Sequence, residues 1–349
     1  MQHASSLHAK KNNTVAVLGS GLGSNLFVDS GCREVLPGVL MIELPLPYAL
    51  GAVNAYLVRL TDGYLLVDCG METDAGFQAL SRAITGVGAG WRDIREILLT
   101  HVHPDHMGLA APLLKLTGAS LWVHAKDAEY LEELAQADRY RAWCAGVLHR
   151  SGVPAGMISQ IEAASENIHR SFQRLQPDCL LKGGEKIVAS IGELEVLWTP
   201  GHSPGHVCLY GRERRVLFSG DQMLELISPN IGWHPERDPL SDYLASLQEL
   251  ARLEIDLILP SHGAPFSGHR EWIRRTIEHH DERCSRILAM LDGTQLDAAE
   301  LVDGLWERPL VPFHYRFAVF EVLAHLEYLE RQHKVSQAER DGVVQWLAI

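Results

Sequence analysis

Apolar and polar positions along the chain fall into two alternating rhythms. Short apolar runs of strand length recur from about Leu40 onward: Val53 to Val58, Tyr64 to Val67, Ile97 to Leu99, Glu195 to Thr199, Val216 to Phe218 and Leu257 to Leu259. Thr61-Asp62-Gly63 between the first two supplies turn chemistry and predicts a β-hairpin. Between the runs, apolar residues return at helical spacing, as in Phe77, Leu80 and Ile84, and again in Leu240, Tyr243, Leu244, Leu247 and Leu250. Strands interleaved with helices predict a layered α/β architecture. Two stretches break the rhythm. From about Lys126 to Pro177 the pattern is helical without a strand, which reads as an insertion. From about Glu271 helices dominate again, with Val319, Leu323, Leu326 and Leu329 on one face, and a short hairpin closes the chain between Lys334 and Trp346. The expected organisation is a loosely ordered lead-in over 1–35, a main domain over 36–270 carrying the insertion at 126–177, and a helical module over 271–349.

The lead-in holds Val15-Ala16-Val17-Leu18 followed by Gly19, Gly21 and Gly23, a partial dinucleotide-binding turn. Ser24 stands where the third glycine belongs and no amphipathic helix follows, so a flexible turn is the better reading. Six cysteines are scattered without a CxxC pair, which suggests neither a disulfide framework nor a thiolate metal site. A formal charge of −13 opposes general affinity for nucleic acid or an anionic membrane surface. Neither a secretory apolar stretch nor a run long enough to span a membrane is present, and the expected location is the cytoplasm.

Histidine changes the picture, because 18 of them are present and they bunch. His101, His103, Asp105 and His106 form HxHxDH just beyond the run Ile97 to Leu99. Residues two apart after a strand face the same way, so His101 and His103 can address one ion. The chain then turns through Pro104 and carries Asp105 and His106 toward a second position. Three other strand ends run into Pro200-Gly201-His202, Ser219-Gly220-Asp221 and Pro260-Ser261-His262-Gly263. The expected grouping is His101, His103 and His202 on one metal and Asp105, His106 and His262 on the other, with Asp221 shared through its two oxygens. Imidazole and carboxylate donors suit a borderline divalent ion, zinc first, with iron or manganese as alternatives. His206, four residues after His202, and Asp68, at the end of Leu65-Leu66-Val67, read as supports that orient a ligand or brace the HxHxDH loop. His124, His234 and His269 read as ordinary surface or core histidines.

HVHPDH, TPGHSPGH, FSGD and PSHG, with LLVDCG upstream, resemble the ordered motifs of the metallo-β-lactamase superfamily from about Leu40 to Arg270. That resemblance implies an αββα sandwich with a dinuclear centre at one edge and Asp221 in the bridging position, as in the glyoxalase II type. The winged-helix-like tail resembles the β-lactamase-like protein 2 group, which includes thioesterases of polyketide pathways and an RNA endonuclease. The insertion between His106 and His202 departs from that pattern, and its helices are placed to roof the site.

The expected activity is hydrolysis by metal-bound hydroxide, with Asp105 accepting or relaying the water's proton. No GxSxG nucleophile motif is present. A thioester of glutathione, CoA or a carrier protein is the first substrate reading and a lactone the next. RNA endonuclease or phosphodiesterase activity is the alternative, weakened by 31 basic against 44 acidic residues and by an acidic tail. Arg270, Arg274 and Arg275 are the local exception, able to line a groove or receive a carrier's phosphates. A β-lactamase is a third possibility, opposed by the lack of an export signal, and a non-catalytic scaffold is disfavoured by the full ligand set. The tail's apolar face leaves homodimer formation open.

Overall fold

Side-chain alternation in the central strands dictates two sheets, each buried on both faces. The computed structural model describes residues 32–349 except 49, 171, 173, 226 and 227; the partial glycine turn at 19–23 lies outside the described residues. One sheet has seven strands in sequence order: β1 (Cys32–Leu36), β2 (Val39–Pro45), β3 (Ala52–Arg59), β4 (Tyr64–Val67), β5 (Ile94–Leu98), β6 (Ser120–His124) and β7 (Cys179–Leu181). The other has five: β8 (Lys186–Ala189), β9 (Gly192–Trp198), β10 (Val207–Gly211), β11 (Val216–Gly220) and β12 (Leu257–Pro260). Strand structure thus begins before the expected start near Leu40, because β1 pairs antiparallel with β2 within the region read as lead-in. The hairpin around Thr61-Asp62-Gly63 is present as β3 and β4.

Along β3, Val53, Ala55 and Leu57 face outward to a helical layer, while Tyr56 and Val58 face the opposing sheet. The same division holds in β10, where Val207 and Leu209 enter the core between the sheets and Cys208 and Tyr210 enter the outer core. A strand buried on both sides has no polar face, which is why these segments read as unbroken apolar runs. Helices α1 (Asp74–Gly86), α2 (Pro104–Met107) and α3 (Ala110–Thr117) lie beside the first sheet, and α7 (Pro239–Ala251) covers the second. The result is the expected αββα sandwich.

The insertion contributes α4 (Ala125–Leu134), α5 (Ala137–Arg150) and α6 (Ala155–Arg170). The C-terminal module consists of α8 (His269–Met290), α9 (Ala298–Leu305), α10 (Pro312–Arg331) and the hairpin β13 (Val335–Arg340) and β14 (Val343–Ala348). A capping box between Asp297 and Glu300 starts α9. The apolar face of α10, with Val319, Leu326 and Leu329 buried, packs within its own chain, in one core with Leu148 and Ile161 of the insertion and Leu247 of α7. No helix among the described residues is long and apolar enough to cross a membrane.

The strands deliver the site to one edge. The chain leaves β4 at Asp68, β5 at the HxHxDH turn, β9 at the turn bearing His202, β11 at Asp221 and β12 at His262. Asn54 and Tyr56 of β3 stitch the sheets together there. The Asn54 side chain donates to Pro260 O at 2.9 Å and Gly263 O at 2.8 Å, and the Tyr56 hydroxyl donates to Pro260 O at 2.7 Å. On the other side, Gly201 sits hard against α7. Its φ is +138°, and a Cβ there would lie 2.4 Å from the Tyr243 Cβ and 2.5 Å from the Tyr243 Cα. Only glycine meets both conditions. Gly201→Ala should therefore destabilise the fold by roughly 1–3 kcal/mol through overpacking and lower the thermal unfolding midpoint by several degrees. An unchanged midpoint would mean that the loop has room to yield.

Candidate metal centre

Seven side chains singled out in the sequence converge at this edge in two overlapping groups. His101 Nε2 and His202 Nε2 lie 2.9 and 3.0 Å from His103 Nδ1. Across from them, Asp105 Oδ2 lies 3.3 Å from His262 Nε2 and 3.7 Å from His106 Nε2. Asp221 stands between the groups and divides its oxygens. Its Oδ2 is 3.4 Å from His202 Nε2 and 4.0 Å from His101 Nε2, while its Oδ1 is 3.5 Å from His106 Nε2 and 3.6 Å from His262 Nε2. A carboxylate so placed can reach toward both groups at once.

Hydrogen bonds on the outer side of each ring decide which nitrogen faces inward. His202 Nδ1–H donates to Asn230 O at 2.8 Å, His262 Nδ1–H to Ala52 O at 2.9 Å, and His106 Nδ1–H to Asp68 Oδ2 at 2.8 Å. The Thr100 hydroxyl donates to Asp68 Oδ2 at 2.8 Å, so its contact with His101 Nδ1 at 3.1 Å is one in which the ring donates. Four Nε2 lone pairs are thereby aimed at the interior. His103 alone presents Nδ1. Burial, then the neighbouring His106, His103 and His202, holds His101 well below the usual histidine range, and burial with His202 brings His103 down to about 3. Burial also disfavours charge on His106, but the surrounding carboxylates Asp221, Asp105 and Asp68 outweigh it and raise its pKa well above the usual value.

Asp68 and His206 stand behind the ligand candidates, and their contacts show how each acts. The Asp68 carboxylate takes the Thr100 backbone N–H at 2.8 Å as well as the Thr100 hydroxyl and the His106 ring. Its φ of +57° turns the chain back after β4, a conformation that Asp tolerates better than most residues. His206 faces the other way from the ligand candidates: its Nε2 accepts the Asp221 backbone N–H at 3.1 Å and its Nδ1 lies 2.9 Å from the Thr199 hydroxyl. It holds the backbone of Asp221 while lending nothing to the interior.

The residues fit a cation on one independent ground. His106 Nε2 and Asp221 Oδ1 are fully buried, and the 3.5 Å approach of one to the other leaves neither with a well-formed hydrogen bond among the described residues. Leaving such groups unsatisfied costs about 1–3 kcal/mol each, more when charged, and the shortfall disappears if both bind metal. Among the described residues no cysteine joins a metal-capable group.

Three features escaped the sequence. Asp127, in the first turn of α4, is a buried carboxylate that takes the Val102 N–H at 3.0 Å, the Ser203 hydroxyl at 2.9 Å and the Gly205 N–H. It ties the HxHxDH loop to the loop bearing His202, and burial pushes its pKa up to about 6 against those bonds. An acidic residue at a helix start looks like an ordinary cap, so nothing in the sequence set it apart. Second, Asn230, whose carbonyl holds His202, donates through its side chain to Glu321 of α10 at 3.2 Å, and Glu321 pairs with Arg283 of α8 at 3.4 Å. Third, His234 lines the cavity beside the centre and is not a plain surface residue. His124 caps α4 and the His269 ring bonds Leu253 O. Arg270 and Arg274 do not line a groove at the centre; Arg270 pairs with Glu254, and Arg274 with Glu271 and Glu278.

Asp127→Ala removes the tie between the two loops while sparing every candidate ligand. Metal affinity should fall by about 10- to 100-fold, as for other groups that orient ligands, measured by competition with a chelator. Affinity within twofold of the parent would show that the loops are set without it.

Residues 48–262 match the Metallo-beta-lactamase superfamily, and residues 284–349 match the family described as Metallo-beta-lactamase-like, C-terminal domain. The chain is 27% identical to the Bacillus subtilis protein named "Probable metallo-hydrolase YqjP", over 85% of this chain and 94% of that one. It is 29% identical to Acyl-coenzyme A thioesterase MBLAC2 of Gallus gallus, over 62% of this chain and 74% of that one. Among solved structures, a metallo-beta-lactamase family protein of Thermus thermophilus is 31% identical with a TM-score of 0.79, covering 90% of this chain and 100% of its own. A beta-lactamase domain protein of Burkholderia ambifaria is 28% identical with a TM-score of 0.81, covering 93% and 98%. Sandwich, converging turns and C-terminal module all agree with these matches, and the chain belongs to the metallo-β-lactamase superfamily.

Proposed function

We propose that the protein is a dinuclear metal-dependent thioesterase that hydrolyses the thioester of an apolar acyl group, with lactones as the next substrate class. The observation that carries this reading is a cavity of about 600 Å³ that opens onto His103, Asp105, His202, Asp221 and His262. Its walls are apolar and aromatic. Tyr130, Leu134, Tyr140, Trp143 and Phe172 come from the insertion, and Phe313, Phe317 and Phe320 come from α10. A concave apolar space leading to a polar centre suits a flexible acyl chain. A polyanionic strand would need a basic track along its backbone, and the cavity's described lining offers only Arg237 and Arg316 amid apolar and aromatic walls. The acyl-CoA thioesterase named among the relatives is in keeping with this choice.

Two divalent ions, zinc first, would be held by His101, His103 and His202 and by Asp105, His106 and His262, with Asp221 reaching both. When bound, such a pair supplies a water acidic enough to ionise near neutral pH and a positive field for the developing oxyanion. The protein's own part is positioning and proton transfer. Outer hydrogen bonds from Asn230, Ala52 and Asp68 keep the imidazole lone pairs directed inward. Although burial works against it, His106 and His262 hold the Asp105 carboxyl down at about 2, which keeps it ionised. In this reading Asp105 accepts the water's proton and relays it to the departing thiolate. The cavity keeps solvent from the acyl chain and aligns the carbonyl carbon with the centre.

Elemental analysis after exhaustive dialysis should find close to two metal ions per chain and no sulfur ligation by X-ray absorption. Asp221→Ala should disturb both sites and His262→Ala mainly the second, each with activity reduced by roughly 100-fold or more. Retention of two tight ions and near-normal turnover in Asp221→Ala would remove the shared role assigned to it. On one panel of thioester, lactone, phosphodiester and β-lactam substrates, the metal-loaded protein should turn over acyl-CoA or acyl-glutathione well above single-stranded RNA at about physiological salt. Efficient metal-dependent RNA cleavage without thioesterase activity would overturn the proposal in favour of the nuclease.

A further inference from the structure

The cavity walls are mostly apolar, and two arginines, Arg316 and Arg237, stand among them. Arg316 of α10 projects among Tyr130, Tyr140 and Cys144 of the insertion and lies over the rings of Phe317 and Phe313, 5.0 and 6.0 Å from their centroids. Among the described residues it forms no ion pair with a carboxylate, and its polar partner in the insertion is the Cys144 thiol. The cavity's other arginine, Arg237, differs in this respect, since the Asp242 carboxylate on the same wall feels its charge. A guanidinium drawn out of water toward aromatic faces keeps part of its stabilisation from those faces, yet its five N–H donors call for an anionic acceptor.

We propose that Arg316 binds a carboxylate at the distal end of the acyl group, so that the preferred substrate is an ω-carboxyacyl thioester, the monothioester of a dicarboxylic acid. This rests on the thioesterase reading and narrows it. One guanidinium without a counter-charge matches one negative charge, and the fork of N–H groups matches a carboxylate bidentately. The apolar and aromatic residues that line the same cavity as Arg316 and the metal groups match a methylene chain. A phosphate of the carrier would require the carrier itself to enter this apolar space.

The test uses the full-length, metal-loaded protein and N-acetylcysteamine thioesters, whose leaving group bears no phosphate. Over a series of acyl lengths, kcat/KM should be about 10-fold or more higher for at least one ω-carboxyacyl thioester than for its methyl-terminated counterpart, chiefly through KM. Arg316→Met should abolish that preference and Arg316→Lys should keep part of it. Equal or better turnover of the methyl-terminated series overturns the inference, as does a preference that survives in Arg316→Met. A dependence on Arg316 seen with CoA esters alone would assign it to the carrier's phosphate and also overturn it. Should no thioester be hydrolysed, the thioesterase reading falls by itself. Calorimetry with nonanedioate against nonanoate then decides the role of Arg316: tighter binding of the dicarboxylate in the parent alone supports it, and equal binding refutes it.

Discussion

The structure depends on one electrostatic constraint: imidazole lone pairs and carboxylate oxygens are packed together at close range where water cannot separate them. Left alone, these groups repel one another or lose hydration without compensation. The rings of His106, His202, His262 and His101 are kept in place by a hydrogen bond on the far side, to Asp68, Asn230, Ala52 and Thr100 respectively. Asp68, Thr100 and Ala52 in turn stand at strand ends that a doubly buried sandwich fixes, while Asn230 stands in the stretch before α7. Asp68 carries the largest share, because it reaches His106 directly and His101 through Thr100.

Much of this was readable from the chain, and the reasons are local. The HxHxDH run compresses four donors into six positions, and His202, Asp221 and His262 each follow an apolar strand through a Gly- or Pro-bearing turn. Strand ends announce themselves, so the candidate set and its two groups could be written down from spacing. The supporting pair Asp68 and His206 was accessible for the same reason, since both lie at strand ends or within a motif. The insertion's place beside the site followed from its position between two converging motifs.

What stayed hidden was long-range. Asp127 is chemically a helix cap until the fold brings Val102 and Ser203 to it. Asn230 and His234 lie in an irregular stretch with no periodicity to interpret. The face of α10 carrying Phe313, Phe317 and Phe320 is apolar in the sequence, but helical phase says nothing about which neighbour it meets. Its meeting with the insertion turns a C-terminal appendage into a cavity wall. The early strand β1 was missed because a short edge strand amid Gly, Ser and charged residues has little apolar pattern of its own.

The way the cavity is assembled has a consequence for how the protein comes into being. Every candidate ligand, up to His262, leaves the ribosome before the wall formed by Phe313, Phe317 and Phe320, and so does Asn230 before the Glu321 that anchors it. Domains generally fold as units while synthesis proceeds. A nascent chain that has made its ligand groups therefore still lacks one side of the cavity beside them. The cavity is complete only once α10 has been made and has packed against the insertion.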